Sequence, residues 1–179
     1  MRSFKTAFAA AFVGMLVIAS PLVAASQTAP AKNWKAPATP IYAQKLSDAV
    51  MAKHPELLSL TFHGVPPGQE KTYTMFAGSY PERIGNADDP DDIDVSVKGI
   101  TIVDPRWHRA KDTAKKFVVL LPLRDAQGEN IGLLVPAFRN DAAWGKGKGE
   151  REFFLMALDL RDSLERQIPS YASLFAPAK

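Results

Sequence analysis

Apolar and polar positions along the chain switch between a helical period and a period of two. Between Ile41 and Lys53, Tyr42, Leu46, Ala49 and Val50 recur at helical spacing, with Gln44, Lys45 and Asp48 off that face. This predicts an amphipathic helix, limited by Pro55 because the residue before a proline is pushed out of helical geometry. From Leu58 to Gly64 the period drops to two, with Leu60 and Phe62 opposed to Thr61 and His63. Val65 to Gln69, with two prolines and Gly68, reads as a turn. Lys71 to Gly78 returns with the β-formers Thr72, Tyr73, Thr74 and Phe76, so the two segments read as a hairpin. A polar stretch from Ser79 to Asp92 interrupts the pattern, and Ile93 to Val103 resumes it as a further strand.

Phe117 to Leu121 is apolar at every position, the pattern of a strand covered on both faces. Arg124 to Glu129 supplies a turn, with Gly128 available for positive φ, and Asn130 to Phe138 returns apolar, giving a central hairpin. Trp144 and the run Gly145 to Gly149 then read as a mobile loop. Over Glu150 to Gln167 a second amphipathic helix is expected, with Phe153, Phe154, Ala157, Leu158, Leu164 and Ile168 on its stripe and an Asp162–Arg166 pair one turn apart. Pro169 ends it, and Leu174-Phe175 tucks back onto the domain. Helix, antiparallel strands, helix: the fold class is α+β, an antiparallel sheet with an N-terminal and a C-terminal helix packed on it.

The chain's first segment changes the picture of where this domain works. Arg2 and Lys5 precede an uncharged run from Thr6 to Ala25, centred on Phe8, Phe12, Met15, Leu16, Val17 and Ile18. Pro21 breaks it, and Val23-Ala24-Ala25 offers small residues to a signal peptidase. The expectation is a signal peptide over residues 1–25, a flexible Ala/Pro-rich leader over 26–40 and one domain over 41–179, placed in the periplasm or secreted. Losing Arg2 and Lys5 lowers the net charge from +3 to +1, so the basic balance does not point to nucleic acid. The absence of cysteine excludes a disulfide scaffold and thiol chemistry. Stability therefore rests on a hydrophobic core, which the remaining chain of about 150 residues is long enough to build.

Three segments carry a family resemblance: Arg83-Ile84-Gly85, Asp88-Asp89-Pro90-Asp91-Asp92-Ile93, and Val119-Leu120-Leu121-Pro122-Leu123-Arg124-Asp125-Ala126-Gln127-Gly128-Glu129-Asn130-Ile131-Gly132. Together they make the region from Ile41 to Arg139 resemble the extracytoplasmic Cache sensor domains, which share a PAS-like sheet. The resemblance implies a long N-terminal helix packed on an antiparallel PAS/Cache-like sheet whose concave side holds a small ligand. The chain departs from the receptors of that family in having no second membrane span and no signalling domain, so a free-standing sensor module is expected. The amino-acid-binding pattern of some members is not intact; Arg106-Trp107-His108 echoes its arginine and aromatic residues only loosely.

Catalytic and metal motifs find little support in the residues. His54, His63 and His108 lack ligand spacing, and no His-Glu-x-x-His or cysteine joins them, so no metal site and no cofactor are expected. His54 reads as a helix-end residue, and His63 as a strand-face residue that is a surface or satisfied histidine, or else lines a pocket. Asp92, Asp94 and Ser96 match the first alternate positions of an EF-hand, but Val97 and Val103 stand where the loop needs Gly and Glu. The Asp-rich run then reads as a turn capping a short helix. No nucleophile elbow or phosphate loop is present, and no catalytic residue is expected. Tyr73, Met75, Tyr80, Arg83, Arg106, Trp107, His108, Phe138 and Arg139 combine aromatic walls with cations, which suits a small anionic or aromatic ligand. The expected function is a small-molecule-binding, sensor-like module for signal transduction. A membrane receptor or kinase is a second expected partner. The alternatives are an interaction protein docking on a membrane receptor or transporter, and an enzyme with an unrecognised site.

Overall fold

The computed structural model describes residues 31–103 and 115–178. The expected signal peptide, residues 26–30 of the leader, Asp104 and the Arg106-Trp107-His108 segment lie outside the described residues. Helix α1 (Tyr42–Lys53) buries Ala43, Leu46, Ser47 and Val50, an i, i+3, i+4, i+7 set. Ala49, expected on that face, is exposed because the stripe is centred one position earlier. Strand β1 (Leu57–Gly64) pairs antiparallel with β2 (Thr74–Gly78), with a bulge at Phe62/His63, so the expected hairpin forms. Its second strand starts at Thr74 rather than Lys71, whose φ of 59° belongs to a turn.

The next segment corrects the strand expectation and agrees with the capped short helix read from the Asp-rich run. Ile93–Val103 is not a strand: Pro90–Lys98 forms helix α2, and only Ile102–Val103 pairs, as the short strand β3. Ile93, Val95 and Val97 do alternate, but only Val95 is buried and Val97 is 60% exposed. Local punctuation outweighs the period here. Pro90 sits in the first turn, where its missing N–H costs nothing, and Asp91 and Asp92 meet the positive end of the helix. The Asp92 carboxylate accepts from the Asp89 backbone N–H at 3.4 Å. Gly99 closes the helix in the left-handed conformation, φ 65°.

Strands β4 (Lys116–Arg124) and β5 (Asn130–Arg139) form the expected hairpin, with Gly128 at φ 81° in its turn. The sheet runs β2-β1-β5-β4-β3, antiparallel throughout. This antiparallel sheet with its helices fits a PAS-like fold. One face carries α1, α3 (Glu150–Glu165) and the 3₁₀ turn Tyr171–Phe175; Leu60, Phe62, Val119, Leu121 and Leu134 point into that main core. Phe153 of α3 stacks on Phe117 with ring centroids 4.9 Å apart, and Leu174 is fully buried as expected. The Asp162–Arg166 pair does not form: Arg166 is already the helix cap, and Asp162 is held by Arg161 at 2.7 Å. Lys32 to Trp34, within the stretch read as leader, are tied to the fold. Asn33 donates to the Gly85 carbonyl at 2.8 Å and Trp34 packs edge-on to Phe175. On the opposite face α2 lays Val95 against Val118, Leu120, Leu133 and Ala137, a smaller core that leaves part of the sheet uncovered.

Candidate functional site

The alternation of β1 that sends Leu60 and Phe62 into the main core turns Ser59, Thr61 and His63 toward α2. From β4 and β5, Lys116, Val118, Leu120, Val135 and Ala137 join them. The short helix cannot cover this width. A cavity of about 100 Å³ remains, bordered by Tyr80, Arg83, Asp89, Asp91 and Asp92. That volume is on the scale of one ring or a short-chain acid. Its floor is apolar, and its walls carry charges of both signs.

The polar end is organised around His63, which is 7% exposed. Its Nδ1 lies 2.7 Å from Asp88 Oδ1 and its Nε2 lies 2.8 Å from Thr61 Oγ1. The Asp88 side chain is wholly buried, and its second oxygen, Oδ2, has no hydrogen-bond partner among the described residues. Asp92, on the first turn of α2, completes the group. Burial pushes its carboxyl up to about 6; His63 opposes this shift and the Asp88 charge adds to it. At Gly132, where φ is 147°, an added Cβ would collide with the His63 carbonyl oxygen, so glycine there lets β5 close on the strand that carries His63.

Asp88, His63 and Thr61 stand in the order orienting acid, base, hydroxyl, which hydrolases use. Two features argue against that chemistry here. Thr61 is a mid-strand residue only 6% exposed, and β1 is paired on both edges at this position, so its amides are committed to the ladder rather than free to bind an oxyanion. The arrangement holds an imidazole by both nitrogens.

The nine candidate residues from the sequence do not share one place. Tyr80 and Arg83 line the cavity, with the guanidinium 5.4 Å from the Tyr80 ring centre. Tyr73 lines a separate cleft with Ser96, Asn130 and Tyr171, whose phenol donates to the Val65 carbonyl at 2.7 Å and is pushed up by burial. Met75 is a buried core residue. Phe138 is buried beside Phe153 in the main core, on the other face of the sheet, and Arg139 Nε donates to the Pro55 carbonyl at 3.0 Å. Arg106, Trp107 and His108 lie outside the described residues. Ser59, Thr61, Asp88, Asp89, Asp91, Asp92 and Lys116 were not among the candidates. For Ser59 and Thr61 the signal was available: they share the period-two face of His63. His54 does close α1, its backbone N–H donating to the Val50 carbonyl, and its ring meets Glu56 at 2.8 Å.

Among the described residues the exposed large apolar side chains are Val97 and Ile100 near the end of α2 and Leu155 on α3. They lie on opposite sides of the sheet and form no single patch. No described helix is long and apolar enough to cross a membrane. No protein-family model matches the chain, and no curated protein matches it. Solved structures similar to it include the sensor domain of DcuS from E. coli, at 20% identity over 54% of this chain, with a TM-score of 0.37. The match spans 65% of that chain, under two thirds of its length. A second is the inducer-binding domain of the PobR transcription factor from Acinetobacter, a double mutant in complex with 3-hydroxybenzoic acid. There the identity is 12% over 70% of this chain and 97% of that one, with a TM-score of 0.39. Likeness this loose carries neither a ligand nor a site across.

Proposed function

We propose that the chain is an exported, small-molecule-binding, sensor-like module without catalytic activity, and that the cavity between the sheet and α2 is its ligand site. The observation behind this reading is the cavity's construction: an apolar floor of Val118, Leu120, Val135 and Ala137, beside a rim carrying Tyr80 and Arg83. A ligand with an aromatic or short apolar body and one anionic group matches that lining, the body on the floor and the anion on the Arg83 guanidinium. Export rests on the N-terminal pattern of Arg2, Lys5, the apolar run and Val23-Ala24-Ala25.

Thermal unfolding of the purified protein against a library of aromatic acids, dicarboxylic acids and amino acids tests the reading. A compound bound by the native state raises the melting temperature by mass action. The expected result is a saturable rise for an anionic compound that is lost in Arg83→Ala. A flat response across the library, or a rise that Arg83→Ala leaves intact, would overturn the proposed site.

A further inference from the structure

Beyond that reading, we propose that His63, Asp88 and Asp92 form a site for one divalent transition-metal cation of the zinc class. Each residue offers a ligand atom, one imidazole nitrogen and two carboxylate oxygens, and the three atoms lie within 4.8 Å of one another. A tetrahedral zinc ion about 2.1 Å from each ligand holds them about 3.4 Å apart, so the set reaches that spacing by side-chain adjustment, the 2.7 Å contact of His63 Nδ1 with Asp88 Oδ1 opening and Asp92 drawing in. Asp92 is placed to supply that movement, because it stands on the first turn of a nine-residue helix that buries one side chain, Val95.

A second observation points the same way. Asp88 has a wholly buried side chain, yet only Oδ1 is engaged, by His63, and Oδ2 has no hydrogen-bond partner among the described residues. A buried carboxylate oxygen left unpaired is costly, and a second carboxylate beside it adds repulsion. A cation between them removes both penalties. Ligation displaces the proton shared by His63 Nδ1 and Asp88 Oδ1, and Nε2–H then donates to Thr61 Oγ1, at 2.8 Å, which leaves the lone pair of Nδ1 to the ion. Metal-bound histidines are commonly oriented through their other nitrogen in this way.

The donor set selects the ion class. One nitrogen and two oxygens without a thiolate suit zinc and its neighbours, whereas calcium requires six or more oxygens. Because His63 and Asp92 line the cavity, the remaining coordination position opens into it, where water or an anionic group completes the shell.

Calorimetric titration of the chelator-treated protein with zinc chloride tests the site. One equivalent is expected to bind, with affinity falling about tenfold or more in Asp92→Asn and in His63→Ala. The exposed pair of His54 and Glu56 provides the control, and His54→Ala should leave that equivalent unchanged. Asp92→Asn alters a helix's first turn rather than the sheet, so it keeps the test valid if His63→Ala fails to fold. Cobalt(II) should give visible absorption bands that disappear in Asp92→Asn. No saturable zinc binding below about 1 mM, binding that Asp92→Asn leaves intact, or binding lost in His54→Ala would each overturn the site.

Discussion

Asp92 makes the sharpest single-residue prediction. Its folded carboxyl sits near 6 against an ordinary value of 3.8, mainly because the charged form is buried. Folding therefore favours the protonated acid. In the metal-free protein this group favours folding most below pH 3.8, and the advantage is lost as pH rises through about 6. Asp92→Asn removes the buried charge while keeping an acceptor for the Asp89 N–H. In chelator at pH 7 its melting temperature should exceed the parent's by a few degrees. The gap should open between pH 4 and 6 and stay constant above pH 7 in melts across that range; an absent gap at pH 7 would show that the charge is solvated. His63 was legible from alternation, since it shares a strand face with Thr61. Its partner Asp88 was not: the two are 25 positions apart and meet only through the fold.

At the scale of elements, α2 shows how capping residues override period. Alternation at Ile93, Val95 and Val97 favoured a strand, but Pro90 and Gly99 bracket a helix that the sheet needs only as a partial cover. Gly99 is held at φ 65° with ordinary contact distance around it, 3.5 Å from an added Cβ to Asn130 Nδ2. Its replacement is therefore a backbone test rather than a steric one. Gly99→Ala should cost about 1–2 kcal/mol from the left-handed backbone alone, read as a lower urea midpoint with unchanged slope. The other helices and the two hairpins were legible because each pairs a long periodic segment with a clear stop: Pro55, Gly68, Gly128 and Pro169. Their packing partners were not legible, because one apolar stripe fits any apolar face of the right width.

For the molecule as a whole, the start of α1 and the C-terminal segment meet and close the main core. Tyr42 N–H donates to the Ala176 carbonyl at 2.8 Å, Ala178 N–H donates to the Pro40 carbonyl at 2.9 Å, and Leu174 is fully buried between them. Leu174→Ala should cost about 3 kcal/mol, within the usual range for a buried leucine. Denaturant unfolding would show a single transition moved to lower concentration. A change under about 1 kcal/mol would mean that the C-terminal turn is loosely attached.

What the sequence determined by itself were properties carried by neighbouring residues: periods of 3.6 and 2, turn and cap residues, the helix–sheet–helix order, and from these the α+β class with an antiparallel sheet. Such signals are local, and each is enforced by backbone geometry within a few residues. Only the tertiary structure decided the strand order β2-β1-β5-β4-β3, the incomplete cover of one sheet face by α2, and the meeting of His63, Asp88 and Asp92 at the edge of the cavity left there. Those outcomes depend on which apolar surfaces cover which, a competition among distant segments. It also explains why Tyr80 and Arg83 reach the cavity while Tyr73, Met75, Phe138 and Arg139, chosen for the same chemistry, are carried elsewhere.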